Sequence, residues 1–93
     1  MVVFILERVP ASIRGELSRW LIHPKTGVFV GQISARVRDL LWTRLENTLK
    51  KGSALLIFTS STEQGYTIRT IGKTGKIIQD YGGLALAKTR FPA

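Results

Sequence analysis

Cysteine is absent from the 93 residues, histidine and methionine occur once each, and only six residues are acidic. Without cysteine there are no disulfides and no thiolate metal sites, and the composition fits a cytoplasmic protein. The single histidine, His23, stands beside Pro24 at an expected helix end. It reads as a residue complementing the helix dipole rather than as a base, so a catalytic triad is not expected. Hard cations need carboxylates, and six leave little to build with. Long apolar runs are also missing. The opening MVVFIL is too short for a signal-peptide core or a membrane span, and no targeting signal, internal repeat or low-complexity tract is expected.

What the chain has in excess is positive charge. Fourteen Lys and Arg face the six acids, a formal net charge of +8. In a chain with 44% hydrophobic residues, that balance favours a polyanionic partner such as nucleic acid. The length suits one domain, residues 1–93. A core this small is marginal, so association of protomers is a plausible source of further burial.

The stretch Val28 to Trp42 organises the rest. Val28-Phe29-Val30 reads as a strand ended by Gly31. Ser34 sits where a helix N-cap belongs, and Val37, Leu40, Leu41, Leu45 and Leu49 recur at helical spacing. Arg36 and Arg38 fall in the first turns, where free N–H groups and cations both attract anions. This helix is expected to reach about Lys51, with Gly52 as its C-cap. Upstream, Val2 to Leu6 reads as a strand buried on both faces. After it, Ile13, Leu17, Trp20 and Leu21 form one face of a helix that starts at Pro10 or Ser12 and stops at His23-Pro24. Downstream, Ala54 to Ser60 and Tyr66 to Ile71 read as strands, the second near a sheet edge. Gly72 to Lys76 is a basic glycine-rich loop, and Leu84 to Thr89 is a last strand.

That order implies an α+β fold, an antiparallel or mixed sheet with two helices on one face. The ferredoxin-like sandwich with an extra C-terminal strand is the expected form. Such a fold wants two strands between its helices, whereas Gly27 to Ile33 offers about seven residues. Either one bent segment serves as both strands, or the fold is a variant.

Glu7 ends a buried strand, where a carboxylate is expensive unless paired, hydrogen-bonded or bound to metal. Glu63, in the turn after another apolar strand, is a second acidic candidate. Asp39, Glu46 and Glu16 read as solvated helix positions. Gly-Lys-Thr at residues 72–74 lacks the earlier glycine of a phosphate-binding loop, because Thr67 stands there. Lys73 and Lys76 can still clamp a nucleic-acid backbone. Arg14, Arg36, Arg38, Lys73 and Lys76 belong to no base-reading motif, which suggests sequence-independent backbone recognition of a duplex.

Glu7 to Gly15 (ERVPASIRG), Trp20-Leu21, Gly27 to Gly31 (GVFVG), Ser34 to Arg38 (SARVR) and Trp42 together resemble the second core CRISPR adaptation protein, the Cas-two family, in its I-E branch. The likeness continues through Thr62 to Tyr66 and Gly83-Leu84 to Phe91-Pro92. It implies a ferredoxin-like protomer in a symmetric homodimer, held between copies of the adaptation integrase with duplex DNA across the assembly. Arg14, Arg36, Arg38, Lys73 and Lys76 would face that DNA, and the C-terminal strand would engage the integrase. The family is also described as metal-dependent endonucleases with an acidic residue at the end of the first strand. That residue is Glu7 here, with Glu63 matching a further position, and Mg2+ or Mn2+ the implied ion. Arg8 and Gly82 stand at two places where the I-E branch often has polar or acidic residues. The resemblance implies two readings, a DNA-binding scaffold of spacer acquisition and a magnesium-dependent endonuclease using Glu7 of both protomers; independent of it, a small RNA-binding module is a third.

Overall fold

A computed structural model describes residues 1–49, 51–61 and 63–72. Five strands and two helices follow in the order β1 (Val2–Glu7), α1 (Ala11–Ser18), β2 (Ile22–Lys25), β3 (Val28–Gly31), α2 (Ala35–Thr48), β4 (Ser53–Thr59) and β5 (Tyr66–Ile71). The strands form one sheet ordered β2-β3-β1-β4-β5, every neighbouring pair antiparallel. The first four strands and two helices make the ferredoxin-like α+β arrangement, and β5 extends it beyond β4. The expected strand Leu84 to Thr89 lies outside the described residues.

Strand alternation divides the sheet into two faces. Val2, Phe4 and Leu6 of β1, Phe29 of β3, and Ala54, Leu56 and Phe58 of β4 share one face. They pack with Ile13, Leu17 and Leu21 and with Leu41, Trp42 and Leu45 in the main core. Both helices therefore cover this face. Val3, Ile5, Leu55, Ile57 and Ile68 form a separate aliphatic cluster on the other. Val28 and Val30 pair with Ile5 and Val3, which puts them on that second face as well. Two apolar faces explain why β1 and β4 are nearly continuous hydrophobic runs.

Several sequence expectations need correction. The first helix stops at Ser18, three residues before the end of its apolar pattern. The last amides turn inward, with Trp20 N–H donating to Leu17 O at 3.0 Å and Leu21 N–H to the same oxygen at 2.9 Å. Leu21 stays buried while Trp20 is 50% exposed. The early stop frees Ile22–Lys25 to form β2, so two strands do lie between the helices, joined by a tight turn at Thr26-Gly27. Gly27 has φ +81°, and a Cβ there would lie 2.7 Å from the Leu6 carbonyl oxygen. His23 is accordingly a strand residue, its ring stacked on Phe29 at 4.2 Å between centroids.

The second helix begins as expected. Ser34 Oγ accepts the Val37 N–H at 3.2 Å. It ends at Thr48, however, and Leu49 is extended, with φ −73° and ψ 128°. Gly52 is not its C-cap. It packs against the end of β1, where a Cβ would meet the carbonyl oxygens of Arg8 and Glu7 at 2.4 and 2.7 Å.

Candidate nucleic-acid interface

The sheet register sets where each candidate residue stands. Glu7 pairs with Ser53 at one end of β1, whereas Val2 pairs with Gly31 and Phe58 at the other. The β4–β5 turn that carries Glu63 follows Phe58 and Thr59, so it lies at the Val2 end. At about 3.3 Å per residue, roughly 17 Å of strand separates the two acids. Glu7 and Glu63 of one chain cannot share a cation. Among the described residues there is no cluster of three His, Cys, Asp or Glu that could hold a metal ion. Glu7 forms no ion pair with Arg8 or Arg14; the ion pairs among the described residues are Arg38–Asp39, Arg44–Glu16 and Arg69–Asp39.

Glu7 is half-buried and lines a small depression of about 210 Å³ with Leu6, Arg8, Val9, Arg14, Thr26 and Gly27. Arg8 has φ +60°, a left-handed conformation that costs a side-chain-bearing residue about 1 kcal/mol. The turn it makes precedes Val9-Pro10 and starts α1, with Pro10 as N-cap. Arg14 follows on α1, near this Glu7 end of the sheet.

Arg36 and Arg38 belong to the other end, because α2 begins just beyond Gly31 and Gly31 pairs with Val2. The expected cations therefore do not form one patch: Arg14 stands near Glu7, and Arg36 and Arg38 near the start of α2. Lys73 and Lys76 lie outside the described residues. The arginines also differ in what holds them. Arg14 and Arg36 are exposed and have no carboxylate partner among the described residues. Arg38 is pinned. Its Nε donates to Asp39 Oδ1 at 3.0 Å, its side chain is 15% exposed, and its guanidinium lies 3.8 Å over the Phe58 ring.

Sequence reasoning missed the partner in that arrangement. Arg69 of β5 donates an Nη1–H to the same Asp39 oxygen at 3.0 Å and lies 5.0 Å over the same ring. Asp39 is thus not a merely solvated acid. The hydrogen bond from Arg38, more than the bond from Arg69, holds its carboxyl below the ordinary value. Glu16 is likewise engaged, accepting from Arg44 of α2 at 2.8 Å, while Glu46 is exposed as expected.

Residues 1–86 match the family model described as CRISPR-associated protein (Cas_Cas2CT1978). The chain belongs to this Cas-two family. Family membership gives it a CRISPR-associated role, and the ferredoxin-like sheet accords with it. No helix of the described residues is long and apolar enough to cross a membrane.

Proposed function

We propose that this Cas-two chain is a non-catalytic, DNA-binding scaffold of CRISPR spacer acquisition, acting as a homodimer in the cytoplasm and joining integrase subunits of the I-E type. The observation that carries the duplex reading is that Arg14 and Arg36, on the helix-covered side of a protein with net charge +8, are exposed and have no carboxylate partner among the described residues. Cations without counter-ions, spread along elements that read no bases, suit phosphates more than base edges. Arg38, Lys73 and Lys76 belong to the same reading. The aliphatic second face of the sheet supports the homodimer, because a second copy can cover Val3, Ile57 and Ile68.

Binding of two unrelated duplexes, followed against salt, tests this. Replacing Arg14 and Arg36 together by alanine should weaken both alike and flatten the slope of log K against log salt by about 0.9 for each lost phosphate contact. An unchanged affinity, or a loss confined to one duplex, removes these residues from the interface. A magnesium- or manganese-dependent nuclease, the second reading, would have to draw Glu7 from both protomers.

A further inference from the structure

Asp39 is shared between two cations that come from elements thirty residues apart. Both guanidiniums reach the same carboxylate oxygen, and both lie over the ring of Phe58, at 3.8 and 5.0 Å from its centroid. The ring holds them in place without cancelling their charge. Three charged groups thus carry a net charge of +1. Asp39 and Arg69 are open to solvent at 51% and 36% exposed, while Arg38 beside them is 15% exposed. Exposed ion pairs of this kind are weak in water. The contacts to Asp39 use Nε of Arg38 and one terminal nitrogen of Arg69, which leaves further N–H groups on each fork for a second anion.

We propose that Asp39 competes with nucleic-acid phosphate for Arg38 and Arg69, and that Arg69 is a further phosphate-contacting residue. The inference rests on the duplex-binding reading above. In the free protein Asp39 neutralises one of the two charges and keeps the guanidiniums parked on Phe58. On a duplex, a phosphate oxygen takes the place of Oδ1, and Asp39 turns out to water. Asp39 thereby lowers duplex affinity. An acid that only positioned the two arginines would raise it.

The test is equilibrium binding of a labelled duplex to the full chain across a salt series, for Asp39→Asn, Glu46→Gln, Arg69→Ala and the Asp39→Asn/Arg69→Ala pair. Glu46→Gln makes the same change in net charge on the same helix, at an exposed acid with no ion pair among the described residues, so it reports the long-range term alone. Asp39→Asn should bind about three- to tenfold tighter than wild type near 0.1 M salt, with a steeper salt slope, while Glu46→Gln gains less than about twofold. Arg69→Ala should cost more affinity in the Asp39→Asn background than in the wild type, since the arginine is free there. Circular dichroism and melting of each variant establish that it is folded. Equal gains from Asp39→Asn and Glu46→Gln, or a loss from Asp39→Asn, overturn the competition. An Arg69→Ala effect that is the same in both backgrounds overturns the role of Arg69. If neither the wild type nor Glu46→Gln binds a duplex at low salt, the duplex reading falls and this inference with it.

Discussion

Gly52→Ala puts one carbon into the closest approach to main chain found at any of the described glycines. A Cβ at Gly52 would stand 2.4 Å from the Arg8 carbonyl oxygen and 2.7 Å from that of Glu7. Ordinary carbon-to-oxygen contacts lie near 3.3 Å or above, so the chain must part by nearly 1 Å. Neither obstacle is a flexible side chain. Both are main chain at the end of β1, where Glu7 pairs with Ser53 of β4, and Arg8 already holds φ +60°. Overpacking commonly costs about 1–3 kcal/mol, and two immovable carbonyls place this site near the top, at about 3 kcal/mol. For a domain of this size that lowers Tm by roughly 12–24 °C. Gly15→Ala is the control of opposite sign. Gly15 lies inside α1 with nothing within 4 Å of an added Cβ, so alanine should stabilise by roughly 0.5–1 kcal/mol. Urea unfolding at a fixed protomer concentration measures both, read as shifts in midpoint at constant slope. A Gly52→Ala loss below about 0.5 kcal/mol would refute the close-approach argument, because well-placed surface substitutions alone stay within that range.

Asp39 gives a pH prediction. Its carboxyl is held below its ordinary value of 3.8 by Arg38 first and Arg69 second. The stabilisation is therefore present above that value and is lost as pH falls through the lower folded one. Asp39→Asn should remove a small part of the acid limb of a stability–pH curve, and identical limbs would count against the pairing. Ile57 sits half-buried on the second sheet face, so Ile57→Lys should turn a species of about twice 10.4 kDa into a folded monomer by sedimentation. A variant that stays dimeric places the contact elsewhere. Glu7→Gln should leave duplex binding and spacer integration intact under the scaffold reading. Full survival of any magnesium-dependent cleavage in that variant removes Glu7 from catalysis, and its selective loss assigns Glu7 a nuclease role that the scaffold does not need.

The fold was legible where burial decides it. Continuous apolar runs placed β1 and β4, and the Ser34 cap with its helical spacing placed the start of α2. Element ends were less legible, because tertiary contacts set them. The apolar spacing of Ile13, Leu17, Trp20 and Leu21 continues past the helix it describes. Leu21 reaches the core from a final inward turn while Trp20 swings to the surface, and the four residues released become β2. None of those four is buried, so no hydrophobic period marks them as a strand. Gly52 looked like a cap for a related reason. A glycine after a helix satisfies the sequence rule whether it needs a left-handed backbone or, as here, a missing Cβ.

The candidate site divides along the same line. Charge and residue type were visible in the sequence; pairing was not. Arg36 and Arg38 look equivalent there, two positions apart on one helix. They differ because the β4–β5 register sets Arg69 opposite Leu56, on the helix-covered face and next to Phe58. That placement brings a second guanidinium to Asp39 and commits Arg38 to a ring and a carboxylate, while Arg36 stays exposed and without an acid among the described residues. No helical pattern contains this information, because the deciding residue lies thirty positions away on a strand. On the proposed reading, the distinction is between a cation that would meet phosphate directly and one that would first give up an internal anion. Under the proposed duplex-binding role, that difference would set how steeply binding responds to salt and to the charge on Asp39.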